Sequence, residues 1–253
     1  MSLAKLPSWT PPPDLLGIVV ARYNEPLDQW ADLAPNVYLY AKYDTPQAND
    51  TVPHSSFRSY ELLPNLGREG QTYCYHLYTN YDDLQPIMIF SQADPFDLIA
   101  PETNTTQQMV EQALAPPEPD FYPVTVFNYD LVHNLSDWEK INWTDPAEAY
   151  WITPSQLATL TYSPYPMSVF WRHLFHEEHP DVVTALHGGT FAVRREAILR
   201  HPRDFYKRCL DEFAYAGQNA TNPEVGHFME RSWLAVWDRK FWLWNETNGS
   251  PRG

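Results

Sequence analysis

The chain has 253 residues, 43% of them hydrophobic, enough for one large domain or two small ones with a proper core. Its formal charge of −15 argues against nucleic acid as a partner, because a phosphate backbone would be repelled. Two cysteines, Cys74 and Cys209, are too few for a disulfide framework, and no apolar run reaches the roughly 20 residues of a membrane span.

Met1-Ser2-Leu3 and the later Pro11-Pro12-Pro13 read as a trimmed opening and stalk over residues 1–13, with a signal or membrane anchor expected upstream. A single domain is expected over 14–245, followed by a tail at 246–253. Leu15 to Ala21 is a short apolar, β-branched run of the kind that forms a buried parallel strand. It breaks into the polar Arg22-Tyr23-Asn24-Glu25. Leu27 to Leu33 has helical spacing, and Val37 to Tyr43 reads as a second strand. Leu63 to Glu69 reads as a turn before a helix from Gly70 to Tyr81. Tyr73-Cys74-Tyr75 lies inside that helix, where a buried free thiol and a bridge to Cys209 are equal readings. Pro86 to Phe90 is a third strand, ending in Ser91-Gln92-Ala93-Asp94-Pro95-Phe96-Asp97. Residues 101–166, rich in Pro, Asn and Asp, are expected to form an irregular insertion over one face. Val182 to Leu186 then leads through His187-Gly188-Gly189-Thr190 into Phe191-Ala192-Val193, and helices follow near 194–200, 204–214 and 224–237. Strands alternating with helices predict an α/β fold, an open sheet with helices on both faces. In such sheets the ligand site is built at the carboxyl ends of the strands.

The asparagines carry a second message. Asn49, Asn104, Asn134, Asn142, Asn219, Asn245 and Asn248 all head Asn-X-Ser/Thr triplets without Pro at the middle position. With 13 Asn and 29 Ser plus Thr in 253 residues, random placement gives only about one or two such acceptors. An N-glycosylated protein of the secretory lumen (Golgi or endoplasmic reticulum) or the cell exterior is the expected address.

Six segments form one ordered series: 19–25, 63–69, 92–97, 188–196, 203–206 and 226–233. They read Val-Val-Ala-Arg-Tyr-Asn-Glu, Leu-Pro-Asn-Leu-Gly-Arg-Glu, Gln-Ala-Asp-Pro-Phe-Asp, Gly-Gly-Thr-Phe-Ala-Val-Arg-Arg-Glu, Arg-Asp-Phe-Tyr and Gly-His-Phe-Met-Glu-Arg-Ser-Trp. The series resembles the fungal and bacterial family called domain of unknown function 3431, from about 16 to 240. The order of its parts also resembles GT-A glycosyltransferases, which implies a Rossmann-like, GT-A-like mixed open sheet. It further implies a nucleotide-sugar donor, a glycan or other hydroxyl acceptor, and Mn²⁺ or Mg²⁺ on the diphosphate.

On that resemblance Arg22, Tyr23, Asn24 and Glu25 receive the nucleotide. A guanidinium grips phosphate bidentately, although an Arg22–Glu25 pair is equally natural. Asn65, Gly67 and Arg68 precede a helix whose free N–H groups suit a diphosphate, and they also suit an ordinary helix start. Asp94 and Asp97 offer the hard oxygen ligands a divalent cation takes, with Asp94 also a catalytic candidate, or they cap turns. Gln92, Phe96, His187, Gly188, Gly189, Phe191, Arg194 and Arg231 would shape the substrate side, with Phe191 a stacking platform for a sugar. Glu230 is the expected base taking the acceptor proton, or half of a structural ion pair. The expected function is a glycosyltransferase. A carbohydrate-binding protein without catalysis and a glycoside hydrolase with paired carboxylates are the alternatives.

Overall fold

The computed structural model describes residues 10–43, 51–136, 143 and 153–243. Eleven strands are formed there: β1 (Leu16–Arg22), β2 (Val37–Ala41), β3 (Ser59–Leu62), β4 (Ile87–Gln92), β5 (Val124–Val126), β6 (Val132–Ser136), β7 (Leu160–Thr161), β8 (Val182–Leu186), β9 (Phe191–Arg194), β10 (Asn222–Pro223) and β11 (Trp242–Leu243). The longer helices are α1 (Arg68–Thr79), α2 (Thr106–Leu114), α3 (Met167–Phe175), α4 (Arg203–Tyr215) and α5 (Glu224–Trp237).

The central sheet has the order β3-β2-β1-β4-β9-β5. Its first four strands are parallel, and β9 runs antiparallel to both β4 and β5. The architecture is therefore the expected mixed open α/β sheet with helices on both faces. All seven residues of β1 are buried because both sides of the sheet are covered. Ile18 and Val20 face a core built with Trp30, Leu33, Met109 and Val110. Val19 and Ala21 face the other core, with Tyr73, Leu77, Met229 and Trp233. A second, antiparallel sheet β11-β8-β6 packs under α5.

The five expected strands form close to where the hydrophobic runs place them, but other expectations change. Asp28–Asn36 is a 3-10 rather than an α-helical segment, with Pro35 removing a backbone donor before β2 begins. Residues 10–13 belong to the domain edge rather than to a free stalk. Pro11 is buried, and the Asn36 amide donates to the Pro11 and Leu16 carbonyls at 3.2 and 3.0 Å. Residues 1–9 and 246–253 lie outside the described residues. The 101–166 stretch is not wholly irregular: it supplies α2, strand β5 of the central sheet and β6 of the second sheet.

Cys74 on α1 and Cys209 on α4 are disulfide-bonded, with their Cα atoms 6.0 Å apart. Both sulfurs lie in the core, at residues no more than 1% exposed. The bridge settles the choice that the sequence left open, and it ties α4 to α1, whose first turn lines the cleft described next.

Candidate functional site

Sheet topology decides where a ligand can sit. The connection after β1 runs to β2 on one side, whereas β4 is laid down on the other side of β1. The carboxyl ends of β1 and β4 therefore diverge at a switch point, where the connecting loops leave a crevice. A cleft of about 420 Å³ opens there. Ala21, Arg22, Tyr23 and Glu25 come from the end of β1, Lys42 from just past β2, Asn65, Arg68 and Glu69 from the start of α1, Gln92 from the end of β4, and Thr221 from the loop before α5.

Three of these lining side chains are cationic, in a chain whose net charge is −15. Each is held differently. Arg22 is buried; its Nε donates to the Glu25 carbonyl at 2.7 Å and its Nη1 to the Tyr43 hydroxyl at 2.6 Å. Glu25 in turn accepts the Tyr23 and Asn24 N–H groups at 2.8 and 3.1 Å, so the turn after β1 is built by its own polar groups. Lys42 is 4% exposed, and its ammonium donates to the Leu66 and Arg68 carbonyls and to Gln71 Oε1. Burial pushes it down to about 7, against the opposing pull of the Glu69 charge. Arg68 is the accessible cation, its side chain 32% exposed and its Nε 3.8 Å from Glu69 Oε2.

The loop entering α1 is shaped for close approach. Gly67 and Arg68 both have positive φ, at 63° and 51°. A Cβ on Gly67 would lie 2.5 Å from Gln71 Cβ and 2.6 Å from Phe213, so only glycine fits. No side chain caps α1 at Gly67, the end of a helix where first-turn N–H groups have no intrahelical partner.

The Gly188–Gly189 turn joins β8 to β9 beside this cleft. Both glycines have positive φ, 97° and 62°, and the Gly189 position lies against Glu69 and Tyr73. Glu230 holds the turn: its Oε1 accepts the Gly188 N–H at 2.6 Å, and its Oε2 is 3.5 Å from His227 Nδ1. Burial alone would raise the Glu230 carboxyl, but His227, the Gly188 N–H and Arg231 outweigh it and hold it down to about 2. Glu230 is thus a fixed carboxylate serving the turn, and it does not line the cleft. Glu69 is the acid on the wall.

Several expected substrate residues are placed elsewhere. Phe191 is 0% exposed and packs against Tyr73, Phe90, Trp233 and Trp237, so its ring is core and no sugar can stack on it. Arg194 pairs in register with Ile87, the first residue of β4, which puts it at the opposite end of the sheet from Gln92. It donates to the Ala115 carbonyl at 2.9 Å. Arg231 is buried beside the His227 carbonyl at 3.5 Å. His187 turns toward β6, its ring 5.2 Å from that of His133, and burial lowers its pKa. Asp94, Phe96 and Asp97 are exposed past the end of β4, with Asp94 Oδ1 accepting the Phe96 N–H at 3.4 Å. Among the described residues, no three His, Cys, Asp or Glu side chains converge as a ready-made metal cage.

Lys42, Glu69 and Thr221 are cleft residues that the sequence did not single out. Lys42 had a readable signal, a lone lysine closing an otherwise apolar strand at its carboxyl end. Thr221 had none, since it reaches the cleft only because its loop folds back to donate to the Asn65 carbonyl at 2.8 Å.

Fold and cleft together define an α/β protein with a cation-lined crevice at the switch point of its central sheet. The chain belongs to the family described as Protein of unknown function (DUF3431), which it matches over residues 18–248. Comparison with curated proteins and with solved structures gives no match.

Proposed function

We propose that this protein is a glycosyltransferase of GT-A type that binds a nucleotide-sugar donor in the switch-point cleft and passes the sugar to a hydroxyl acceptor. The observation that carries the reading is the cluster of Arg22, Lys42 and Arg68 around one crevice of an acidic chain, beside the uncapped start of a helix. A diphosphate needs that combination: fixed cations, backbone N–H groups and a glycine allowing close approach. Arg68 and the first turn of α1 seat the phosphates, while Lys42 fixes the Leu66 and Arg68 carbonyls so that this turn stays in place. Asp94, two residues beyond Gln92, supplies a carboxylate if a divalent ion bridges the diphosphate, since such ions take one or two protein carboxylates and otherwise phosphates and water.

In this reading the acceptor proton goes to Glu69. Glu25 is committed to two backbone N–H groups and Glu230 to the glycine turn, whereas Glu69 lines the cleft with its Oε2 3.8 Å from Arg68 Nε. The test is thermal-shift titration of uridine, guanosine and cytidine diphosphates with and without Mn²⁺. A ligand at about 100 times its Kd stabilises the folded state by about 2.7 kcal/mol. Glu69→Gln should keep that shift and lose transfer from the nucleotide sugar, while Arg68→Gln should lose the shift. No shift with any nucleotide refutes the donor site, and a shift without turnover of any nucleotide sugar favours a binding protein.

A further inference from the structure

The loop from Gly217 to Thr221 is a working part of the cleft and also carries a sequon, Asn219-Ala220-Thr221. The Ala220 carbonyl accepts the Gly67 N–H at 2.8 Å, and the Thr221 hydroxyl donates to the Asn65 carbonyl at 2.8 Å. Thr221 itself lines the cleft. Asn219, two residues away, is exposed and has φ of 51°, a left-handed conformation that Asn tolerates better than most residues. It thus stands exposed in a tight turn two residues from the cleft-lining Thr221.

We propose that Asn219 carries an N-linked glycan, borne on the mouth of the cleft. Three observations support it. All three described sequon asparagines, Asn104, Asn134 and Asn219, are exposed, so the fold has room for a sugar at each. The buried Cys74–Cys209 bridge needs an oxidising compartment of the kind in which sequons are read. Asn219 alone of the three stands in a turn; Asn134 lies within β6, its Oδ1 accepting from the Thr184 hydroxyl at 2.7 Å, and Asn104 directly precedes the first turn of α2. The donor is an oligosaccharide linked through diphosphate to a polyisoprenoid lipid. A bond forms between Asn219 Nδ2 and C1 of the first sugar, the C1–O bond to the diphosphate breaks, and the amide proton leaves to the released lipid diphosphate and its buffer. The transfer takes place on the chain as it enters the lumen, and the exposed turn then keeps the glycan outside the fold.

The experiment is secretion of the full chain from a eukaryotic host behind a cleavable signal, followed by glycopeptide mass spectrometry. Peptide-N-glycosidase in heavy-oxygen water marks each formerly occupied Asn as a heavy Asp. The expected result is a heavy-labelled Asn219 peptide and release of its glycan from the native protein without denaturant. Asn219→Asp, which keeps a residue tolerant of positive φ, should remove one glycan from the gel mobility and leave the melting temperature unchanged. An unmodified Asn219 beside modified Asn104 or Asn134 overturns the proposal at this site. Absence of a glycan at all three overturns it entirely.

Discussion

Reducing the Cys74–Cys209 bridge should lower stability by an amount that chain statistics set. The bridge closes a loop with a sequence separation of 135. Constraining a loop of that length removes about 17 cal/mol/K of entropy from the unfolded chain, close to 5 kcal/mol at room temperature. In a protein of this size each kcal/mol moves the melting temperature by roughly 2–4 °C, so the loss corresponds to about 10–20 °C. The loss falls on the cleft, because the bridge ties α1, whose first turn forms the cleft wall, to α4. The assay is differential scanning calorimetry of oxidised protein, of protein unfolded and refolded in reductant, and of the Cys74→Ala/Cys209→Ala variant. Thiol titration in denaturant should find no free thiol before reduction and two after. Equal melting temperatures for oxidised and double-variant protein, or two free thiols at the outset, would refute the reasoning.

The pH dependence of Glu230 follows from its depressed carboxyl. With a folded value of about 2 against an ordinary 4.5, its contribution is fully present above pH 4.5 and is lost as pH falls toward 2. Glu230→Gln should therefore cost up to about 3 kcal/mol at pH 7 and flatten the acid limb of the urea-unfolding profile over that window. Lys42 has the opposite sense: its ammonium, lowered to about 7, is pulled back up by a bound diphosphate, so binding takes up protons. Nucleotide affinity should fall as pH rises above 7, and calorimetry in buffers of different ionisation enthalpy should show proton uptake; pH-independent affinity argues against a phosphate beside Lys42. Gly188→Ala places a Cβ 2.7 Å from Leu98 Cδ2 at a φ of 97°, and should destabilise by about 1–3 kcal/mol in chemical denaturation. A neutral result there would mean that the turn is not held as described.

How much was legible in advance can be argued from particular segments. The strands that became β1, β2, β4 and β9 announced themselves because a strand covered on both faces must be apolar throughout, and β8 by its short Val-rich run. β3 and β5 gave weaker signals. Ser59–Leu62 is an edge strand of intermediate burial, and Val124–Val126 has only three residues, so neither is long enough for hydrophobic pattern to speak. The cleft residues Arg22 and Gln92 were visible because polar groups at the end of an apolar strand mark its carboxyl end, and Asn65 and Arg68 because they stand at a legible helix start. Phe191 and Arg194 were misplaced for one reason. Their strand runs antiparallel to β4, which buries the aromatic between sheet and α5 and carries the arginine away from the cleft.

The sequence by itself determined the alternation of buried strands and helices, the acidic surface, the seven sequons and membership of an ordered motif series, because these are properties of local composition and spacing. Only the tertiary structure decided that Cys74 meets Cys209, that Lys42 and Glu69 share a wall with Arg22, and that Thr221 of a sequon reaches the same crevice. Those meetings join residues far apart in the chain, so they depend on strand order and on the direction of β9. No local pattern carries that information.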